Sequence, residues 1–317
     1  MKKYGLIGLI VIGICSNGFC TEKLINIVHF ESVDTAKALL SQQDKFTDSW
    51  SQMDIDFRMQ KANSTKAELL KFIPTQAREW SINEKNILLS VLDSIDTDID
   101  TQGFNIDFPQ KLFLVKTTLN EEMPDATGYT RANYIVFNGD KITETNSMLK
   151  LVVAHELFHI LTRHNPAFKK KMYKIIGFNL IDEIPYPQNL IDSKLTNPDA
   201  PYNDSYISLL VKDQLINCTM IIYSDRKYSG GDIFDYLHIG FLKLKDPENK
   251  EVCYVNGEPV IYHQNEISNF FEQIGRNTEY IVQPEEILAD NFAFTILGLE
   301  GLPNPEIIDA IKKILKE

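Results

Sequence analysis

Two of the chain's six histidines stand four residues apart with a glutamate beside them, in His155-Glu156-Leu157-Phe158-His159. An α-helix turns once in 3.6 residues, so positions four apart share a face and the two imidazoles lie a turn from each other. Two ligands of a single Zn²⁺ require that arrangement. Glu156 is adjacent, where its carboxylate can take a proton from a metal-activated water. Leu149, Leu151, Val152, Val153, Ala154, Leu157, Phe158, Ile160 and Leu161 surround the motif on nearly every side, the mark of a buried helix. A buried carboxylate and two imidazoles need partners, because unpaired buried charge is costly. A metal with its water supplies them. A chain of this composition yields H-E-x-x-H by chance in roughly one case in a hundred, so the zinc site outweighs its alternative, a core helix with satisfied histidines.

A catalytic zinc site keeps three protein ligands and one open position. A third histidine in H-E-x-x-H-x-x-G-x-x-H fails: Thr162 and Asn165 fill the glycine and last histidine places. His164 falls one short, at the helix end. The better source is Gln283-Pro-Glu-Glu-Ile-Leu-Ala-Asp-Asn-Phe292. Pro284 suits a first helical position, and Ile287, Leu288, Phe292, Phe294 and Leu297 follow at core spacing. Glu286 and Asp290 are four apart and face the same way. Glu286 is then the third ligand, and Asp290 accepts the N–H of a ligand histidine and orients it. Glu285 has Ala289 at its i+4 position, lacks that partnership, and is expected at the rim or as a cap favoured by the helix dipole. The developing oxyanion needs a donor as well. Tyr280, just ahead of this helix, and His263 are the candidates.

H-E-L-F-H with a downstream E-I-L-A-D resembles the gluzincin metallopeptidases, which share H-E-x-x-H and E-x-x-A-D or E-x-x-x-D on two adjacent helices. The resemblance implies one Zn²⁺ held by His155, His159 and Glu286, with Glu156 as general base and Asp290 behind a ligand histidine. It also implies an α+β fold with a zincin-like core: a small sheet, a buried H-E-x-x-H helix and a second ligand helix. Asn133-Tyr134-Ile-Val-Phe137 would be the edge strand that holds a peptide or protein substrate. Glu286 stands 127 positions beyond His159, which leaves room for an insertion. No G-x-M-E-N occurs, which leans against amino-terminal exopeptidase action and toward internal cleavage. Two other readings of the same residues are a zinc hydrolase of a non-peptide amide or ester, and a weakly catalytic binding or inhibitory protein on the same scaffold. Neither G-x-S-x-G nor a catalytic cysteine signature is present.

The elements that position these residues read in order. Residues 21–105 form an N-terminal helical region, with pieces at Ala36–Leu40, Lys66–Phe72 and Glu84–Leu92. Residues 44–65 carry no clear period. Asp96, Asp98 and Asp100 alternate like the start of a Ca²⁺ loop, but Thr101 and Asp107 fill the Gly and Glu places, so a solvated linker is expected. Residues 106–317 hold the catalytic region. Lys111–Thr117 reads as a strand, and Gly128–Arg131 leads into a second one at Ala132–Phe137. Thr143–Ser147 offers N-caps for the metal helix, and Phe168–Gly177 reads as a further helix. Residues 206–262, rich in Ile, Val, Tyr, Leu and Phe between Gly and Pro breaks, read as an antiparallel β insertion. Helix resumes from Ile267 and ends with Pro305–Leu315.

With 317 residues, 44% hydrophobic and 24% charged, the chain can bury a sizeable core. Met1-Lys2-Lys3, the apolar run Leu6–Cys15 and small residues to Cys20 read as a secretory signal peptide, cut after Gly18 or Cys20. The run is too short to span about 30 Å of bilayer, so no stable membrane insertion is expected after its removal. The mature chain would be periplasmic or secreted. Losing two lysines takes the net charge from −12 to −14. Acidity of that degree argues against nucleic acid or an anionic membrane as partner. Cys218 and Cys253 remain, an even pair that permits one disulfide in an exported protein.

Overall fold

The structure is a computed structural model that describes residues 22–317, so the expected signal segment lies outside the described residues. The fold is α+β. Its first layer begins α1 (Leu24–Ile27), β1 (Val28–Phe30), α2 (Val33–Leu40), α3 (Lys45–Asp48), α4 (Gln52–Arg58) and α5 (Lys66–Phe72). Residues 44–65, aperiodic in sequence, are organised by side-chain caps rather than by an apolar stripe. Asp44, Ser51 and Thr65 each accept the backbone N–H three residues on, which satisfies donors a short helix would otherwise leave bare.

The helix α6 (Ile82–Gln102) corrects two expectations. It is longer than the Glu84–Leu92 piece, and it absorbs the run expected as a solvated linker. Ser81 and Glu84 close a capping box at its start, and Gly103, at φ 67°, ends it in the left-handed region. Asp96 is buried and accepts the Leu24 N–H at 3.1 Å; Asp98 pairs with Lys150. The aspartates tie helices together instead of solvating a loop.

A four-stranded sheet follows the order β1–β2–β4–β3, with β2 (Leu112–Thr117), β3 (Gly128–Arg131) and β4 (Tyr134–Asn138). β1 runs parallel to β2 and β2 to β4, whereas β3 is antiparallel to β4. The N-terminal region is therefore not wholly helical, since β1 completes this sheet. Every residue of β4 is buried. Ile135 and Phe137 face the core shared by α6 and the metal helix, while Tyr134 and Val136 face the α2–α5 side. That two-residue alternation explains the continuous apolar run of a strand covered on both faces.

The expected edge strand is thereby corrected. Tyr134 belongs to an interior strand, and the edge is β3. Arg131 pairs with Tyr134, so Ala132 (φ 47°) and Asn133 are the two-residue turn of a hairpin. No glycine marks that turn, which is why Gly128–Arg131 reads in sequence only as a lead-in and the turn residues as part of the next strand.

Asn146 caps α7 (Ser147–His164), the motif helix, through the Leu149 N–H. Then come α8 (Pro166–Ile175) and β5 (Phe178–Leu180). The β insertion is antiparallel, as its turns and residue types suggest, with β6 (Ser205–Val211), β7 (Gln214–Tyr223), β8 (His238–Asp246), β9 (Glu251–Val252), β10 (Tyr254–Val255), β11 (Glu258–Pro259) and β12 (Ile261–Tyr262). Its main sheet runs β12–β8–β7–β6–β5, so it starts earlier than residue 206. Cys218 and Cys253 are free thiols. Cys218 pairs with Lys243 on one side of β8, and the Cys253 N–H bonds the Lys243 carbonyl on the other. Two strand spacings, roughly 10 Å, separate them, beyond a disulfide's reach. The chain closes with α9 (Phe270–Ile274), α10 (Pro284–Ile296) and α11 (Pro305–Leu315). α7 and α10 pack side by side, with Phe158 and Phe292 rings 5.5 Å apart.

Candidate metal centre

α7 presents His155 and His159 with ring centroids 4.9 Å apart. α10 brings Glu286 to both: its Oε2 lies 3.0 Å from His155 Nε2 and 3.7 Å from His159 Nε2. Four ligands at about 2.0–2.1 Å around a tetrahedral ion stand roughly 3.3 Å from one another, and the two observed separations straddle that value. His155, His159 and Glu286 could hold a metal ion. His159 Nε2 is buried with no hydrogen-bond partner, a costly position for a polar atom unless a cation takes its lone pair.

The remaining ring nitrogens are held from behind. His155 Nδ1 lies 2.8 Å from Asp290 Oδ1, a carboxylate that also accepts from the Thr278 hydroxyl. His159 Nδ1 faces Glu285 Oε1 at 3.4 Å. Glu285 also accepts from the Thr162 hydroxyl and, at 2.6 Å, from Tyr173. It is 2% exposed, which overturns its expected place at the rim. Its partners are donors on α7 and α8, invisible to an i+4 search within its own helix. Burial alone would raise the Glu285 carboxyl, but these donors and the nearby Lys169 charge bring it down to about 2.

Asn197 Nδ2 donates to Glu286 Oε1 at 2.6 Å, leaving Oε2 to the imidazoles. Burial opposes ionisation of Glu286, yet the two histidines and Asn197 hold its carboxyl below the usual range. His155 is held well above the ordinary imidazole value: burial works against its charge, and Asp290 and Glu286 outweigh it. Five carboxyl groups (Glu156, Asp199, Glu285, Glu286 and Asp290) surround the two imidazoles, with Arg163 and Lys169 close to Asp199 and Glu285.

Glu156 is 4% exposed and accepts from the Thr130 hydroxyl of β3 at 2.7 Å. Burial, and then the charge of Asp199, push its carboxyl up to about 7, where a group can both take and return a proton near neutrality. Tyr280 reaches the site, its ring centroid 6.4 Å from that of His155. The residue is 42% exposed, so its outer edge meets solvent. Desolvation of the inner side and the carboxylates of Glu286, Asp199, Glu156 and Asp290 hold its phenol well above the ordinary value. It is therefore a neutral donor at physiological pH.

The other candidates are not brought together. His263 is exposed at the turn after β12, where its N–H bonds Glu266, and among the described residues it makes no hydrogen bond to the cluster. Asn133 is in the hairpin turn, and the Tyr134 hydroxyl points to the Leu39 carbonyl on the far face of the sheet. The sequence reading missed Thr130, Asn197 and Asp199. They lie on the edge strand and in the proline-marked stretch before the β insertion, with no spacing that ties them to the motif.

Comparison with protein-family models, curated proteins and solved structures finds no significant match to this chain. The site's own geometry carries the argument.

Proposed function

We propose that the chain is an exported zinc-dependent metallopeptidase on a zincin-like core, cutting peptide bonds internally. The observation that supports this best is the convergence of His155 Nε2 and His159 Nε2 on one oxygen of Glu286, beside the buried carboxyl of Glu156. A purely structural metal site has no use for such a base. The resemblance of both helices to the gluzincin motifs agrees with it.

His155, His159 and Glu286 would hold the zinc, and Asp290 and Glu285 fix the two ring orientations. When bound, zinc polarises the scissile carbonyl and acidifies the attacking water. Glu156 receives that water's proton on its carboxylate and passes it to the departing amine. The Thr130 hydroxyl keeps the carboxylate aimed. Tyr280 donates to the oxygen on which charge develops. The outer N–H and C=O groups of β3 would take an extended peptide as an added strand, which secures backbone binding with little side-chain selectivity.

The test is incubation of the mature protein with a mixed peptide library, with and without chelator, and mass-spectrometric mapping of the cuts. Chelation should stop cleavage and added zinc restore it. Glu156→Gln should keep the metal and lose hydrolysis. Cleavage that survives chelation, or turnover in the Gln variant, would falsify this reading.

A further inference from the structure

One irregular span just ahead of β6 crosses the cluster. Residues 197–202 are pinned upstream by a buried ionic network: the Thr196 N–H donates to Asp54 Oδ1 at 2.9 Å, and Arg58 Nη2 donates to the Thr196 carbonyl at 2.9 Å. Downstream, Asn203 Nδ2 donates to the Ile184 carbonyl, and Asp204 pairs with Lys169 at 2.7 Å. Between the pins the span lies on the site. Asn197 holds Glu286. The Thr130 N–H, in the middle of the edge strand, donates to Asp199 Oδ1 at 2.6 Å. Arg163 Nη2 donates to the Pro198 and Asp199 carbonyls at 2.8 and 2.9 Å. An Asp199 oxygen lies within 4.8 Å of both a Glu156 oxygen and a His159 nitrogen.

A peptide added to β3 needs that Thr130 N–H and the space Asp199 fills. The cluster is shut: the side chains of His155, His159 and Glu286 are 13, 0 and 1% exposed. We propose that residues 197–202 are a built-in occupant of the peptide-binding edge, so that the chain as folded is partly latent and turns over only while this strap is lifted off β3. The proposal rests on the reading of the site as a hydrolytic metal centre. Both pins lie outside the strap, so it can lift without unravelling them. Cavities of about 530 and 440 Å³ border Ala200, Pro201 and Tyr202, giving it room to move.

Amide hydrogen exchange at Thr130, in metal-free and zinc-loaded protein, tests the strap directly. Losing one hydrogen bond to a charged acceptor should release this amide roughly 10- to 100-fold faster in Asp199→Ala than in the wild type. Zinc should pass to a chelator faster by a similar factor, and kcat/KM on the peptide library should rise. Asp199→Asn, which keeps the acceptor and the size, should lie between the two and serves if the alanine variant does not fold. Unchanged Thr130 exchange in both variants overturns the strap. Faster exchange with lower kcat/KM overturns latency and makes Asp199 part of the working site. A wild type that binds no zinc sinks the metal-centre reading instead, and the metal-free exchange still decides whether the strap covers β3.

Discussion

Replacing Glu285 by alanine takes the acceptor from three buried donors at once. His159 Nδ1, the Thr162 hydroxyl and the Tyr173 hydroxyl all end on its carboxylate, and their residues are 0, 4 and 2% exposed. A buried polar group left without a partner costs about 1–3 kcal/mol. The three share one site, so their costs do not add fully, and removal of a buried charge offsets part of the loss. The expected destabilisation of metal-free Glu285→Ala is about 3 kcal/mol. Glu285→Gln keeps one carbonyl oxygen and should lose roughly half of that. Urea denaturation in the presence of a chelator, extrapolated linearly, measures both. An alanine variant within about 0.5 kcal/mol of the wild type, as for an exposed position, would refute the network and return Glu285 to the rim. The same variant should bind zinc roughly 10- to 100-fold more weakly, through loss of ring orientation. Glu286→Ala, which removes a ligand atom, should cost more; the opposite order would exchange the two roles.

Tyr280→Phe should lower kcat at least tenfold with little change in zinc content, as expected of a lost transition-state donor; an unchanged kcat leaves Tyr280 a wall residue. Glu121 is buried beneath β3 with Oε2 unpartnered, and burial pushes its carboxyl up from 4.5 to about 7. Its folded form binds the proton more tightly than the unfolded chain. Stability is therefore full below pH 4.5 and is lost as the pH rises through about 7, by about 3 kcal/mol. Glu121→Gln should be free of that loss, so its advantage over the wild type should grow from pH 5 to pH 8 in urea titrations; parallel curves would contradict it. In native protein a thiol reagent should label Cys253 and spare Cys218, whose thiol burial pushes up to about 12. Equal labelling of both would mean that β7 opens readily.

The chemistry-bearing helices were legible because helical periodicity is local. Four-residue spacing puts His155 beside His159 and Glu286 beside Asp290 wherever those helices lie, and Pro284 and Pro305 mark helix starts the folded chain uses. The antiparallel insertion was legible from its residue types and turns. Residues 44–65 were not, since a capping box stabilises a helix too short to show a stripe. The edge of the sheet was not, because strand order is settled by long-range pairing and leaves no mark in β3 or β4.

By itself, then, the sequence determined which side chains share a helical face and which runs are apolar enough to be buried. Only the tertiary structure decided who meets whom across elements: Glu285 with His159, Asp290 with His155, and Thr130, Asn197 and Asp199 with the cluster. Those contacts join residues 26 to 135 positions apart. Their distances depend on how α10, β3 and the strap pack on α7, and no local spacing encodes that packing.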